Sequence, residues 1–154
     1  MEGKKEYSVT IPDEHFKILE FKQEGSPGIA VINHSLTHFE PKEVFAWHCS
    51  IMLQCENLIE NEMPSTHEIE ILDKFENYLN EKIRGDNKNK PNGLFLARIT
   101  WNRTRELIWR IYNPELTNNF LTDIIKRRDY LRSFDYRIDP DKEWHLAEWH
   151  LKNS

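Results

Sequence analysis

Short runs of alternating apolar and polar residues occupy the first third of the chain and are typical of β-strands. One such run spans 7–11, and two further apolar-rich runs at 16–22 and 29–34 flank the sequence EGSPG. Two strand-like runs around a Gly/Pro turn predict a β-hairpin. A later run, 44–53, places on one face Phe45, Trp47, Cys49, Ile51 and Leu53.

Two helices are predicted from their start signals and their spacing. Ser65, with Glu68 three positions later, fits a capping box in which the Glu68 carboxylate reaches back to the N-cap. The apolar residues that follow at helical spacing, before Gly85, are Ile69, Leu72, Phe75, Leu79 and Ile83. The second helix opens at Asn113-Pro114, and its predicted buried stripe is Leu116, Phe120 and Ile124.

The remaining runs complete a recognisable order of elements. Positions 94–101 and 106–112 predict a second hairpin, and 134–138 predicts a last strand. From residue 44 the order is β-α-β-β-α-β. We therefore predict an α+β fold in one domain, 1–154: a ferredoxin-like βαββαβ antiparallel sheet with two helices on one face (44–139), an N-terminal β-hairpin extension (1–40) and a short C-terminal helix (140–151).

Composition limits the classes of function. The chain has 154 residues, 38% of them hydrophobic, which is sufficient for one core. A net charge of −5 disfavours non-specific binding to nucleic acid or to an anionic membrane. No apolar run resembles a signal peptide or a transmembrane span, and the two cysteines fit a reduced compartment. We expect a soluble cytoplasmic protein with no membrane partner and no DNA partner.

Motifs that carry chemistry are weak. His34 and His38 would share a helical face, but the preceding run is strand-like, which separates them by roughly 13 Å along a strand. His48 and Cys49 are neighbours, and adjacent strand residues point to opposite faces, so His48 is poorly placed to activate the thiol. We predict no catalytic residue, no metal site and no cofactor.

A surface is the stronger candidate. If the apolar strand faces pack on the helices, several polar residues share the opposite face of the sheet. The predicted binding surface consists of His48, Arg98, Arg110, Tyr112 and Arg137, with Ser50 and Thr100 nearby. Such a face suits an anion, RNA or a protein partner. Solvation, or cover by the N-terminal hairpin or the C-terminal segment, is the alternative.

The segment EWHLAEWHL, 143–151, repeats Glu-Trp-His-Leu at a spacing of five. Five helical steps rotate a side chain by about 140°, so the two copies cannot share one face. Helical spacing instead joins Trp144 with Ala147 and Leu151. We predict a short terminal helix that is docked through Trp144, and we expect His150→Ala to be nearly silent.

The chain also resembles a known family over roughly residues 16–151. The matching residues are Met63-Pro64-Ser65 with Glu68, Leu72 and Glu76; Arg98-Ile99-Thr100 with Arg105-Glu106; Tyr112; and Asp139-Pro140 with Trp144. The resemblance is to a mainly bacterial family of unknown function, number six-nine-five. This sequence departs from its pattern at Asn61-Glu62, where a glycine is common.

The resemblance implies no catalytic residues. Members are sometimes found beside domains like the regulator of ribonuclease E activity B, which by analogy suggests regulation or binding. The leading expectation is a non-enzymatic cytoplasmic binding or regulatory module with an unknown protein partner. An RNA-associated regulator is the first alternative, and an enzyme with an unrecognised site is the second.

Overall fold

Six antiparallel strands form one sheet in a computed structural model that describes residues 7–154. The elements are β1 (Phe16–Gln23), β2 (Ser26–Asn33), β3 (Trp47–Gln54), α1 (Thr66–Arg84), β4 (Gly93–Trp101), β5 (Thr104–Ile111), α2 (Pro114–Arg127), β6 (Phe134–Pro140) and α3 (Glu148–Lys152). The strand order across the sheet is β1-β2-β4-β5-β3-β6. The prediction of an α+β protein with an antiparallel sheet is confirmed. Residues 1–6, where the predicted N-terminal extension begins, lie outside the described residues.

Both predicted hairpins form, each through a two-residue turn. Glu24 and Gly25 have φ angles of 52° and 80°, and Asn102 and Arg103 have φ angles of 45° and 71°. Two consecutive positive φ angles match the right-handed twist of the flanking strands, which makes this the preferred short hairpin turn. Asparagine and glycine tolerate that conformation best, so the turn residues themselves help to set the register.

Both predicted helices begin where the caps indicate. The Ser65 side chain accepts a hydrogen bond from the backbone of α1, and the Asn113 side chain does the same for α2. The predicted stripes were partly wrong. Ile69 is partly exposed, and Leu116 is 59% exposed. Of the predicted α2 stripe, Ile124 is buried and Phe120 is partly buried, while the other buried residues of α2 are Thr117 and Leu121.

The sheet has two buried sides. The side that carries α1 and α2 is here called the helix side. Its core consists of Cys49, Ile51, Leu53, Leu72, Phe75, Leu79, Ile83, Phe95, Leu107, Trp109, Ile111, Leu121 and Ile124. All of these come from the two helices and from β3, β4 and β5, so the helix side is packed over the centre of the sheet.

The opposite side, here called the second side, is also covered. Its buried residues are Tyr7, Ala30, Ile32, Leu36, Phe39, Phe45, Leu94, Leu96, Ala97, Ile108, Trp144 and Ala147. The cover comes from the N-terminal segment, the loop between β2 and β3, and the C-terminal segment. The expectation of an open polar face was therefore wrong over this region, and the alternative of a covered face is correct.

Two further predictions of local structure were wrong. Residues 7–11 form no strand, although alternate side chains of this segment, Tyr7, Val9 and Ile11, pack on the second side. Phe45 precedes β3, in a short 3-10 helix that spans Lys42–Phe45, and packs on the second side rather than beside Trp47. The turn at Ala46 resets the alternation because helical and extended residues orient their side chains differently.

A β-bulge interrupts β4. Phe95 pairs with Trp109 and Ala97 pairs with Ile108, so Leu96 is an extra residue without a partner in β5. An extra residue exchanges the two sides for everything that follows it in the strand. Arg98 consequently faces the helix side.

No helix within residues 7–154 is long and apolar enough to cross a bilayer. The two cysteines are free thiols, as predicted.

Candidate binding surface

The five residues of the predicted binding surface do not lie together. His48 and Arg110 are buried on the second side, and Tyr112 is half-buried and contacts the rings of other residues there. Arg98 lies on the helix side, and Arg137 is exposed on β6, at the edge of the sheet. The structure therefore brings only His48, Arg110 and Tyr112 to one region.

Arg110 is the centre of a buried polar cluster. Its Nη1 donates to Asp141 Oδ2 at 2.8 Å, and its Nη2 donates to the Asp141 backbone oxygen at 2.6 Å. The guanidinium also lies over the Trp144 ring, 4.6 Å from its centre. Such a pair is tolerated in a low dielectric because both Nη atoms of Arg110 are hydrogen-bonded, although its buried Nε has no partner among the described residues. The cluster is a structural joint between β5 and the C-terminal segment.

Two neutral histidines flank this joint. Arg110 donates to Nδ1 of His48 at 2.9 Å, so that nitrogen accepts and His48 carries its proton on Nε2. Burial, followed by the Arg110 charge, lowers the pKa of His48 to about 4, and burial lowers the pKa of His150 to about 4. His150 is only 9% exposed, which argues against the expectation that His150→Ala is nearly silent.

Asp141 also caps the C-terminal segment. Its carboxylate accepts from the backbone N–H groups of His145 and Leu146, at 3.0 and 2.9 Å. Burial opposes its charge, but the Leu146 and Arg110 hydrogen bonds outweigh burial and lower the pKa of Asp141. One carboxylate thus holds both Arg110 of β5 and the start of the terminal helical turn.

Arg98 is neutralised on the helix side. Its Nε and Nη2 donate to the two oxygens of Glu76 at 2.7 and 2.6 Å. Arg105 adds a bond of 3.1 Å to the same carboxylate and one of 2.7 Å to Asp73. A bidentate guanidinium–carboxylate pair fixes both partners. Arg98 and Arg105 therefore join the sheet to α1 and present little free charge to a ligand.

The sequence also gave no indication of the buried pair formed by Glu68 and Arg132. Glu68 binds Arg132 with two bonds of 2.7 Å and also accepts from the Glu56 backbone and the Asn57 side chain. These contacts, the Arg132 hydrogen bond foremost, lower the pKa of Glu68 to about 2. The capping box is only half formed, because Ser65 accepts from the Glu68 backbone while the carboxylate turns inward. Arg132 lies 64 residues away, and no local signal marks that pairing.

Metal and thiol chemistry find no support in the described residues. Within 7–154, no group of three or more potential ligands could hold a metal ion. His34 Nδ1 instead lies 3.0 Å from the Ser154 hydroxyl. Cys49 is buried in the core, and burial raises the pKa of its thiol to about 12, which disfavours the thiolate.

A polar cleft lies at one end of the sheet, with a volume of about 590 Å³. Its charged lining residues are Asp13, Glu14, Arg84 and Lys88. Glu14 and Arg84 form a half-exposed ion pair of 3.8 Å. An exposed ion pair of this length contributes little to stability. It also does not place a nucleophile within hydrogen-bond reach of a base, as nucleophilic catalysis requires.

Within residues 7–154, the β1–β2 hairpin carries an apolar surface that no other segment covers. On the helix side of the β1–β2 hairpin, Ile18 pairs with Val31, and Val31 pairs with Arg98 of β4. Ile18 is 74% exposed, and Phe16 and Ile29 are also exposed. We call Phe16, Ile18, Ile29 and Val31 the hairpin face. It continues the packed side of the sheet beyond α1, where neither α1 nor α2 covers it.

In a comparison with protein families, residues 19–148 match the model described as a family of unknown function, DUF695. Neither the curated proteins nor the solved structures contain a match to the chain.

Proposed function

The chain belongs to the family of unknown function DUF695, and from that premise we propose that it is a non-enzymatic, cytoplasmic protein-binding module whose site is the hairpin face. Its ligand is an amphipathic helix of a partner protein. The partner places its apolar stripe on Ile18 and Ile29 and lies beside α1. In the same proposal, the module regulates its partner by binding or releasing this helix at the hairpin face.

The observation that carries the proposal is the exposure of Phe16, Ile18 and Ile29 on one side of two adjacent strands. Single exposed apolar residues are ordinary, whereas a contiguous apolar patch marks an interaction site. The rest of the same side is covered by helices. Two strands span about 10 Å, which is the diameter of one helix, so the hairpin face has room for one additional helix in that layer.

The test compares two variants with matched chemistry. Ile18→Glu places a charge on the hairpin face, and Leu116→Glu places one on a similarly exposed apolar position of α2. Both sites are solvent-exposed, so neither change should unfold the chain. We expect a protein captured from native lysate to survive ribonuclease treatment, to be retained by Leu116→Glu and to be lost with Ile18→Glu, as read by mass spectrometry. An identical set of proteins on both variants would contradict the proposal.

The two alternatives have less support. An RNA-associated regulator would use the predicted arginines, but Arg98 and Arg110 are bound by carboxylates and only Arg137 of that set is well exposed. An enzyme with an unrecognised site would use the polar cleft, where the ion pair of Glu14 and Arg84 is half-exposed. The hairpin face therefore remains the basis of our proposal.

We also propose that the part of the chain from β3 to β6 is ferredoxin-like. The order β4-β5-β3-β6 and the placement of α1 and α2 on one side support this assignment. In that description, β1 and β2 extend the sheet beyond β4, and the hairpin face is the portion of the extended sheet that exceeds the cover of the two helices.

A further inference from the structure

We propose that β6 pairs with β6 of a second copy of this chain, antiparallel and about a two-fold axis at Tyr136, so that two sheets join into one. β6 ends the sheet on the side opposite to β1, and its outer backbone groups have no neighbouring strand within residues 7–154. This inference does not depend on the hairpin face, which lies at the other end of the sheet.

The backbone of β6 determines which residues can bind a further strand. Gln54 N donates to Ser133 O at 2.9 Å, and Asp141 N donates to Ala46 O at 2.7 Å, so odd-numbered residues bond inward to β3. In an antiparallel ladder the intervening residues direct their N–H and C=O groups to the other side. Phe134, Tyr136 and Ile138 therefore present free donors and acceptors at the edge.

Charge and the backbone donors of β6 together select one register. With the axis at Tyr136, Asp135 of one copy lies opposite Arg137 of the other, and this contact occurs twice. With the axis at Asp135 or at Arg137, like charges face each other directly, which destabilises a strand pair. These facing positions are non-hydrogen-bonded pairs, whose Cα atoms are only about 4.5 Å apart, so the two charges come close.

Both charges are available for this contact. The Arg137 side chain is 79% exposed, and its Nη2 lies 3.3 Å from Asp139 on the same strand. Such an exposed pair contributes little and can be exchanged for another. Within residues 7–154, the structure shows no ion pair for Asp135.

The helix-side residues of the same register are compatible. Phe134 faces Ile138 of the second copy, and Tyr136 faces Tyr136 of the second copy. All three residues are partly buried in the single chain. Cross-strand aromatic and branched pairs stabilise sheets. The shared edge of one strand is small, so the dimer should be weak and concentration-dependent.

Charged edge residues also serve to prevent edge-to-edge association. Like charges at positions 135 and 137 would prevent association in the registers centred on 135, 136 and 137. Asp135 and Arg137 carry opposite charges instead, and therefore leave the register about Tyr136 open. An axis at Ile138 would also set Arg137 opposite Asp139, but it sets Pro140, which has no N–H, opposite Tyr136.

Sedimentation velocity at low salt tests the charge pairing. We expect the chain to reach twice its monomer mass at high concentration. Arg137→Glu and Asp135→Lys each place like charges in contact and should raise the dimer dissociation constant at least tenfold. The double variant D135K/R137E restores complementarity and should return the constant to within about threefold of the unmodified protein. Lys74→Glu, an exposed change on α1, is the charge control and should have no effect.

Oxidative cross-linking tests the register. Tyr136→Cys places two thiols opposite each other and should give a disulfide-linked dimer, whereas Asp135→Cys faces Arg137 and should not. The proposal is overturned by a monomer at every concentration, by single charge reversals that leave the constant unchanged, or by equal cross-linking of the two cysteine variants. Ile18→Glu should dimerise normally, which separates this result from a failure of the proposed function.

Discussion

At the scale of single residues, the buried charges bind each other rather than a ligand. Arg110 is fully buried with Asp141, and Glu68 is fully buried with Arg132. Buried charges are tolerated only when paired and hydrogen-bonded, and removal of one partner is costly. Substitution of any one of these residues should therefore destabilise the fold strongly, although charged residues are usually found on the surface.

Trp144→Ala should destabilise the protein by about 3–5 kcal/mol, the usual cost of deleting a buried aromatic side chain. Trp144 is 1% exposed, stacks on Phe39 and covers the Arg110 guanidinium. Trp149→Ala, at a residue that is 45% exposed, is the matched control and should cost much less. Urea unfolding followed by circular dichroism measures both values. Equal, small losses would show that the C-terminal segment is not docked.

Glu68→Gln should cost about 3 kcal/mol or more at neutral pH, because it leaves Arg132 only the more distant, exposed carboxylate of Glu56 as a counter-charge. The pKa of Glu68 is about 2 in the folded chain and 4.5 ordinarily, so its contribution is present above pH 4.5 and is lost as the pH falls towards 2. The difference between the two proteins should shrink over that interval. Glu70→Gln, an exposed neighbour on α1, controls for the loss of one helix charge.

Sequence reasoning succeeded where signals are local and failed where they are not. Ser65 and Asn113 were recognised as caps because a cap and its N–H groups are a few residues apart. The environment of Arg98 could not be predicted, since one unpaired residue, Leu96, exchanges the sides of β4 after it. No pattern of alternation reveals where such a bulge falls.

At the scale of elements, the C-terminal segment is held by groups that respond to acid. Around Arg110 and His48, this segment contributes Asp141, His150 and Trp144, while β6 contributes Asp139. A proton on His48 would add a buried positive charge beside the guanidinium, and a proton on His150 would add one near His48. The attachment of this segment should therefore weaken before that of the rest of the fold.

Acid should destabilise the protein between pH 6.5 and about 4. His48 and His150 have pKa values of about 4 when folded and 6.5 ordinarily, so below pH 6.5 the unfolded chain binds more protons than the folded one. Each histidine should contribute a loss of about 2–3 kcal/mol across this range. His150→Gln should remove one histidine's share of the slope in urea unfolding, whereas His67→Gln, at an exposed site, should keep the whole slope. A slope that is unchanged in His150→Gln would refute this account.

The positions of the strands and helices were predictable from periodicity. The segments that cover the second side of the sheet were not. The strands and helices from β1 to β6 lie close to their predicted positions, because alternation and helical spacing are strong local signals. The cover of the second side comes from Tyr7, Leu36, Phe39 and Trp144, which are distributed among segments without a regular period. Their contribution becomes visible only when the chain is folded.

At the scale of the whole molecule, cover on both sides leaves the hairpin face and the two edges of the sheet as the places where the sheet can meet another molecule. The net charge is −5, and the arginines nearest the centre of the sheet are bound by carboxylates. Recognition by apolar contact is therefore favoured over recognition by charge.

We accordingly expect no salt-sensitive retention of RNA. Fluorescence anisotropy with a labelled single-stranded RNA, at about 50 and 200 mM salt, measures it, because neutralised phosphates release counterions and produce a steep salt dependence. Binding tighter than about 10 μM at the higher salt, with that dependence, would favour the RNA-associated alternative. Arg137→Glu would then show whether the one exposed arginine of the predicted surface is responsible.

The strand order has a mechanical consequence. The first strand, β1, and the last strand, β6, lie on opposite edges of the sheet. Tension applied through residues 7 and 154 first lifts the two terminal segments from the second side and then acts on the outermost strands from both directions. When each outermost strand is peeled from its neighbour, the hydrogen bonds between the two strands break one after another rather than together. The chain should therefore extend at low force, by successive loss of its outer layers, while its central strands yield last.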